Sequence, residues 1–159
     1  MNRFLGPILL ASALTFSAST GANAQLLDAK VIGMDAARTM MAAAEAEAAR
    51  NGWPVAIAIV DASGELVAFH KLDGTQSASI DIAIGKARTA ARLRRPTKAL
   101  EDAIASGRMA LAAVDGITPL EGGVPITVDG QVIGAMGVSG VTSQQDAQVA
   151  EAGIRALGG

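Results

Sequence analysis

The chain has 159 residues, of which 50% are hydrophobic and 18% are charged, and its formal net charge is −2. This length fits one domain, and this composition excludes global disorder. Because the chain has no cysteine and only one histidine, it cannot form disulfide frameworks, thiolate metal sites, cysteine nucleophiles or sites that need two histidines.

The first 24 residues have the pattern of a secretory signal peptide. A short basic start that contains Arg3 precedes a mostly apolar stretch over residues 4–16, which is too short for the roughly 20 residues that span a membrane. Ala22-Asn23-Ala24 then has the small-x-small pattern of a signal peptidase site. The sequence therefore predicts cleavage after Ala24 and a mature domain over residues 25–159. It also predicts a periplasmic or secreted location, without a membrane span and without nucleic acid as a partner.

After residue 24 the chain alternates predicted helices and strands. Apolar residues that recur every three to four positions indicate the helices, and short apolar runs indicate the strands. Asn51-Gly52 and Pro96 are stop signals for the first two helices, and we expect Thr97 and Ser143 to cap the later ones. In chain order the predicted elements are helix 34–50, strands 55–60 and 66–72, helices 79–95 and 98–105, a helical turn at 108–114, strands 124–128 and 131–138, and helix 144–157.

Asp129-Gly130 lies between two apolar runs and indicates a hairpin with a two-residue turn. The strands therefore form antiparallel hairpins, and their apolar faces need cover on both sides. The sequence predicts an α+β fold, a single layered domain with a central, mainly antiparallel sheet of about five strands flanked by helices. The turn also predicts a register, in which the facing pairs are Val128 with Gln131, Ile126 with Ile133 and Val124 with Ala135.

The lone histidine, His70, lies on the second predicted strand. An imidazole can ligate haem iron, which makes His70 a candidate metal ligand, or it can act as a general base. A histidine near a strand end also commonly meets only solvent or a backbone carbonyl. The residues by themselves leave both interpretations open.

A basic cluster follows on the second predicted helix. Arg88, Arg92 and Arg95 share one helical face, which can receive carboxylates, phosphates or haem propionates. The alternative is a solvated face that pairs with Asp81 or Glu101, or a subunit interface with salt bridges. The complete cluster is Lys86, Arg88, Arg92, Arg94, Arg95 and Lys98.

Several segments in chain order resemble the GlcG/HbpS-like family. The resemblance covers nearly all of residues 25–159 and includes Gln145-Asp146 near the last helix. On these residues the chain is identified as a member of that family. The matching segments are VDASGELVAFHKLDG at 60–74, SIDIAIGKARTA at 79–90, RPT at 95–97, GGVPI at 122–126 and GAMGVSG at 134–140.

The resemblance carries expectations about fold, assembly and ligand. It implies an α+β domain with a central antiparallel sheet, and homo-oligomers that range from dimers up to octamers. It also implies haem as a cofactor, because family members, including the C-terminal domain of PduO-type proteins, are described as binding haem and some as degrading it. Finally, it implies a shared pocket around Lys86 and the turn formed by Gly122, Gly123, Val124 and Pro125.

Three functions are therefore compatible with the sequence. The first is an exported haem- or tetrapyrrole-binding protein, with His70 as axial ligand and cations such as Lys86 and Arg88 at the propionates. The second is an isomerase or lyase for a small carboxylated metabolite, in which Lys86 acts as anchor or base and the amides of Gly122 and Gly123 hold an oxyanion. The third is an oligomeric periplasmic partner of a sensor or dehydrogenase. We rank small-ligand binding first.

Overall fold

A computed structural model describes residues 28–158, so the predicted signal peptide at residues 1–24 lies outside the described residues. Among residues 28–158, no helix is both long and apolar enough to cross a membrane. The elements are α1 (Met34–Asn51), β1 (Ala56–Asp61), β2 (Leu66–Lys71), α2 (Ala78–Leu93), α3 (Lys98–Ala105), a 3-10 turn (Met109–Ala113), β3 (Gly123–Val128), β4 (Gln131–Ser139) and α4 (Ser143–Arg155).

The order of helices and strands is the predicted one, and the differences lie at element ends. The second helix was expected to reach Arg95, but it ends at Leu93 because Arg94 adopts a left-handed conformation with φ of 51°. The amide of Arg94 donates to the carbonyl of Ala91, and the amide of Arg95 donates to the carbonyl of Ala90, both at 3.3 Å. These two backbone hydrogen bonds end the helix at Leu93, before Pro96 is reached.

Two helix caps also differ from expectation. Ser143 was expected to cap α4, but Thr142 does so in a reciprocal capping box with Gln145. Thr97 precedes α3 as predicted, yet its hydroxyl accepts a hydrogen bond from the amide of Gly123 at 2.9 Å instead of capping the helix. Thr97 therefore joins α3 to the start of β3.

The sheet has four strands in the order β2-β1-β4-β3, and every neighbouring pair is antiparallel. The expectation of an α+β fold with a mainly antiparallel sheet is confirmed, with four strands in place of about five. Strand β1 is buried between β2 and β4, and the two edges are β2 and β3. Pro125, which cannot donate a ladder hydrogen bond, lies on the edge strand β3, where a proline is tolerated.

The β3–β4 hairpin has the predicted turn but a shifted register. Asp129 and Gly130 both have positive φ, 49° and 76°, which is typical of the two-residue hairpin turn. A bulge then changes the register between Ile126 and Thr127, because one extra residue of β4 lies between Val132 and Gly134. The two predicted pairs that lie farther from the turn than this bulge are therefore wrong. Ile126 was expected to face Ile133, and Val124 to face Ala135. The observed pairs are Val128 with Gln131, Thr127 with Val132, Ile126 with Gly134 and Val124 with Met136.

One face of the sheet is covered by α1 and α4. Three methionines are buried in this layer, namely Met40 and Met41 from α1 and Met136 from β4. Methionine is flexible and fills irregular gaps between branched side chains. Other members of this core include the side chains of Val55, Ile57, Ile59, Ile126, Val138 and Val149.

The opposite face packs against α2 through small side chains. A Cβ atom built on Gly137 would lie 2.1 Å from the carbonyl oxygen of Ala83 and 2.5 Å from the amide nitrogen of Ala87. The backbone of α2 thus approaches β4 directly, and glycine is required at that point of the strand. The rest of this core consists of Ala56, Ala58, Val60, Ala83, Ala87, Ala90, Ala91 and Ala135.

A carboxylate of α1 connects the first helix to the last and should make stability depend on pH. Glu47 accepts a hydrogen bond from Gln148 of α4 at 2.6 Å and contacts Arg50 and Asn51 on its own helix. The bond from Gln148, followed by those from Arg50 and Asn51, holds the pKa of Glu47 below its ordinary value of 4.5. Its stabilising contribution is therefore present above pH 4.5 and lost as the pH falls through the lower folded-state pKa.

We expect Glu47→Gln to lower the free energy of unfolding at neutral pH, and we expect this difference from the parent protein to shrink gradually below pH 4.5. Urea denaturation of both proteins over a series of pH values measures the difference. Glu151→Gln is the matched control, because Glu151 is exposed on α4 and pairs with Arg155 within its own helix. Parallel pH profiles for the parent and Glu47→Gln proteins would contradict this role of Glu47.

Candidate functional site

The predicted site residues lie on opposite faces of the sheet. His70 lies on the edge strand β2, opposite Ile57 of β1, whose side chain belongs to the core under α1. His70 therefore projects on the α1 face. Lys86 and Arg88 lie on α2, which packs on the other face of the sheet. Within the chain, the structure does not bring His70 together with the basic cluster.

His70 is held by a carboxylate from α1. Its ring nitrogen Nδ1 contacts Oε1 of Glu45, and the His70 side chain is 55% exposed. Because an ionised carboxylate can only accept, we assign the proton of the neutral ring to Nδ1. The other nitrogen, Nε2, then carries the lone pair, and no partner for it occurs among residues 28–158. This is the state in which an imidazole can ligate a metal.

A shallow depression of about 310 Å³ lies beside His70, between α1 and the edge strand. Its surface combines two methionines and several alanines with three polar side chains. One of these, Arg38, is largely exposed and pairs with Asp35 at 3.1 Å, so its guanidinium stays accessible to an anionic group. The residues lining the depression are Met34, Ala37, Arg38, Met41, Ala42, Glu45, Ala68 and His70.

Lys86 is 2% exposed and forms a buried ion pair. Its Nζ donates to Oδ2 of Asp146 at 2.8 Å and to the carbonyl oxygen of Val138 at 3.0 Å. Burial raises the pKa of the Asp146 carboxyl, and the hydrogen bond and charge of Lys86 oppose that rise. The pair connects α2, β4 and α4, so the contacts of Lys86 in this structure are structural ones.

Gly122 and Gly123 lie against Lys86, whereas the shared pocket that the resemblance implied there stays a prediction. Gly122 has a φ of 119°, and a Cβ atom built there would lie 2.8 Å from Nζ of Lys86. A Cβ atom on Gly123 would lie 2.4 Å from the carbonyl oxygen of Lys86. Both glycines therefore allow the turn to close over the lysine. The Gly123 amide, a candidate oxyanion donor, is already bound to the hydroxyl of Thr97.

A cleft of about 350 Å³ lies outside this turn, between α3, β3 and α4. Its only lysine, Lys98, pairs with Asp102 at 2.8 Å, and this hydrogen bond raises the pKa of Lys98. Three carboxylates against one ammonium make the cleft acidic, and Lys86 does not line it. The lining residues are Pro96, Lys98, Ala99, Asp102, Glu121, Gly122, Gly123, Val124, Ala147 and Glu151.

Arg88 supports the β1–β2 turn. Its Nε donates to the carbonyl oxygen of Gly64 at 3.1 Å, and Arg92 donates to the carbonyl oxygen of Ser63 at 2.9 Å and to Glu65. The role of Arg88 as a ligand contact stays a prediction. Pro125 lies opposite Ala135 on the α2 face of the sheet, apart from His70.

Sequence reasoning missed Arg38, Glu45 and Asp146. The first two had a usable signal, because positions 34, 38, 41 and 45 repeat at helical spacing and share one face of α1. The pairing of Asp146 with Lys86 spans 60 residues and had no such signal. Among residues 28–158, no group of three or more histidine, aspartate or glutamate side chains is arranged to hold a metal ion by itself.

The helices on both faces of the antiparallel sheet define a three-layer α+β domain, and a depression beside His70 lies on one of those faces. The chain belongs to the family described as "Haem degrading protein HbpS-like", whose sequence model matches residues 32–155. This confirms the family that the sequence segments indicated.

Individual relatives agree with this assignment. The chain is 45% identical to Protein GlcG of Escherichia coli K12 over 109 residues, which cover 69% of this chain and 81% of GlcG. A crystal structure of a double mutant of HbpS from Streptomyces reticuli is 31% identical, with a TM-score of 0.79, over 94% of this chain and 100% of that one. A crystal structure of a complex of PduOC with haem is 26% identical, with a TM-score of 0.74, over 80% of this chain and 95% of that one.

Proposed function

We propose that this protein binds haem at the depression between α1 and β2, with His70 as the axial ligand of the iron. The observation that carries the proposal is the His70–Glu45 contact, which leaves Nε2 of an exposed imidazole available beside an apolar surface. Metal-bound histidines commonly donate their second ring N–H to a carboxylate, as His70 does here. The family description and the haem complex of PduOC support the same ligand.

The side chains around His70 suit the other parts of a haem. Met34, Met41 and the neighbouring alanines offer apolar contact to a porphyrin edge, and Arg38 is placed to pair with a propionate. In this proposal Arg38 binds the propionate, the role expected of the basic cluster, because that cluster lies on the opposite face of the sheet. When bound, haem supplies a redox-active iron, and the residues of this chain orient it and hold its anionic groups.

We also propose that the protein acts outside the cytoplasm, in the periplasm or as a secreted protein, and as a homo-oligomer. The support for export is the signal-peptide pattern of residues 1–24. The support for assembly is the openness of the site. A depression of about 310 Å³ is at the lower end of ligand sites, so a neighbouring subunit would cover the rest of a bound porphyrin.

Replacing the ligand tests the proposal. We expect His70→Ala to weaken ferric haem binding by at least about tenfold, which corresponds to about 1.4 kcal/mol. We expect Arg38→Ala to weaken it less, through loss of a propionate contact. Titration with hemin, followed by the Soret band and by native mass spectrometry, gives affinity and stoichiometry together.

Arg95→Ala is the matched control, because Arg95 belongs to the basic cluster and follows α2, the helix on the opposite face of the sheet from His70. Its haem affinity should equal that of the parent protein. A His70→Ala protein with an unchanged Soret band and unchanged affinity would refute His70 as the ligand. Loss of binding in Arg95→Ala alone would instead place haem at the basic cluster.

A further inference from the structure

Glu45 is the carboxylate that lines the depression, and its contact with His70 joins α1 to the edge strand across 25 residues of sequence. In the described part of the chain, Glu45 pairs with neither lysine nor arginine, whereas the other α1 acids, Asp35 and Glu47, pair with Arg38 and Arg50. The negative charge of Glu45 therefore acts on the imidazole and is not shared with a neighbouring cation.

The geometry of the contact limits what Glu45 can do. It engages Nδ1, so it fixes the ring tautomer and leaves Nε2 as the ligating atom. The Glu45 side chain is 35% exposed, which leaves its carboxylate partly shielded from water. When a carboxylate accepts a hydrogen bond from the ring nitrogen that does not bind the metal, it orients the histidine and makes it a more basic ligand.

We propose that Glu45 is a positioning residue for the iron ligand, and that its charge favours ferric over ferrous haem at this site. The inference rests on the proposed function, since it assigns a role to the partner of His70. A more basic ligand stabilises the more highly charged iron, so hydrogen bonding to the axial ligand sets the reduction potential of a haem. Glu45 thereby makes the bound haem harder to reduce.

Two substitutions at Glu45 separate orientation from charge. In Glu45→Gln the amide oxygen can still accept from Nδ1, so the orientation of His70 is kept and only the charge is lost. In Glu45→Ala both are lost. We expect Glu45→Gln to weaken ferric haem binding by about 10-fold and ferrous binding much less, and Glu45→Ala to weaken ferric binding by up to about 100-fold. A tenfold difference between the two oxidation states corresponds to a potential raised by about 59 mV.

Spectroelectrochemical titration of the haem-loaded protein measures the potential, and hemin titrations with and without dithionite measure the two affinities. Asp73→Asn is the matched control, because it removes one exposed carboxylate shortly after β2 and should leave the potential unchanged. Urea denaturation of each variant without haem reports any purely structural effect, which would alter stability and not the potential.

The outcomes distinguish this inference from the proposed function. A raised potential in Glu45→Gln with normal stability supports it. If His70→Ala abolishes haem binding while the Glu45 variants keep the parent potential, the role of Glu45 is refuted and haem ligation by His70 stands. If His70→Ala binds haem as the parent does, both assignments fail.

Discussion

Lys86→Met is expected to lower the free energy of unfolding by about 3–5 kcal/mol, because it leaves a buried carboxylate without its partner. Lys86 and Asp146 are 2% and 3% exposed in their side chains, and their atoms are 2.8 Å apart. The same contact is the junction of α2, β4 and α4, so its loss should loosen all three. Urea or thermal denaturation of the purified protein measures the effect.

The loss of stability in Lys86→Met should depend on pH, in a direction set by the burial of the Asp146 carboxyl. With Lys86 removed, the causes that raise the pKa of Asp146 act with less opposition, so the folded-state pKa lies above the ordinary 3.8. The folded variant then binds the proton more tightly than the unfolded chain does. Its deficit in stability is complete above the folded-state pKa, and it shrinks as the pH falls towards 3.8.

A double variant tests whether the pair acts as a unit. Lys86→Met combined with Asp146→Leu removes both charges, and we expect it to be more stable than Lys86→Met alone, because no charge is then buried unpaired. Lys98→Met is the matched control, since Lys98 forms an exposed ion pair with Asp102, and exposed pairs contribute little to stability. Additive losses in the double variant would contradict the coupling.

Gly137→Ala is expected to cost about 3 kcal/mol, the upper part of the range for overpacked cores. The added methyl group would meet backbone atoms of α2, the oxygen of Ala83 and the nitrogen of Ala87, which cannot rotate away as a side chain does. The helix must therefore shift from the sheet. We expect a lower midpoint of urea denaturation with an unchanged slope.

Gly33→Ala provides the comparison. Gly33 precedes α1 with a φ of −77°, and a Cβ atom built there has no neighbour within 4 Å. Gly33 is the N-cap of α1, where glycine is preferred over alanine, so its replacement should cost at most about 1 kcal/mol, clearly less than Gly137→Ala. Similar losses for both variants would show that chain flexibility, and not contact with α2, governs position 137.

The elements of this fold follow from local patterns, whereas their pairing follows from contacts that local patterns do not contain. Asp129-Gly130 specified the turn correctly, because a two-residue turn with positive φ is a local property. The bulge next to Ile126 shifts the register by one residue for all pairs farther from the turn, from Ile126 back to Val124. Nothing in the alternation of Val124 to Val128 distinguishes the two registers, because both sheet faces are covered and both accept apolar side chains.

One contact among the predicted residues could be expected from the sequence, but the surroundings of His70 could not. The proximity of Lys86 to Gly122 and Gly123 followed from the resemblance to known family segments, and the structure places them together. The surroundings of His70 depended on which helix covers β2, and that is a matter of topology. The sequence therefore led us to expect His70 and the nearest basic cluster at one ligand. In the fold that cluster lies on the opposite face of the sheet, and His70 contacts α1 instead.

The two faces of the sheet differ in how readily their packing accepts substitutions. On the α2 face, glycine and alanine bring backbone against backbone, so a side chain gained there displaces a helix. On the α1 face, methionines fill the space between layers and can be exchanged for side chains of similar volume at little cost. A ligand site on the α1 face, as proposed above, would therefore lie over the layer whose methionines accept replacement more readily than the glycine and alanine contacts of the α2 face do.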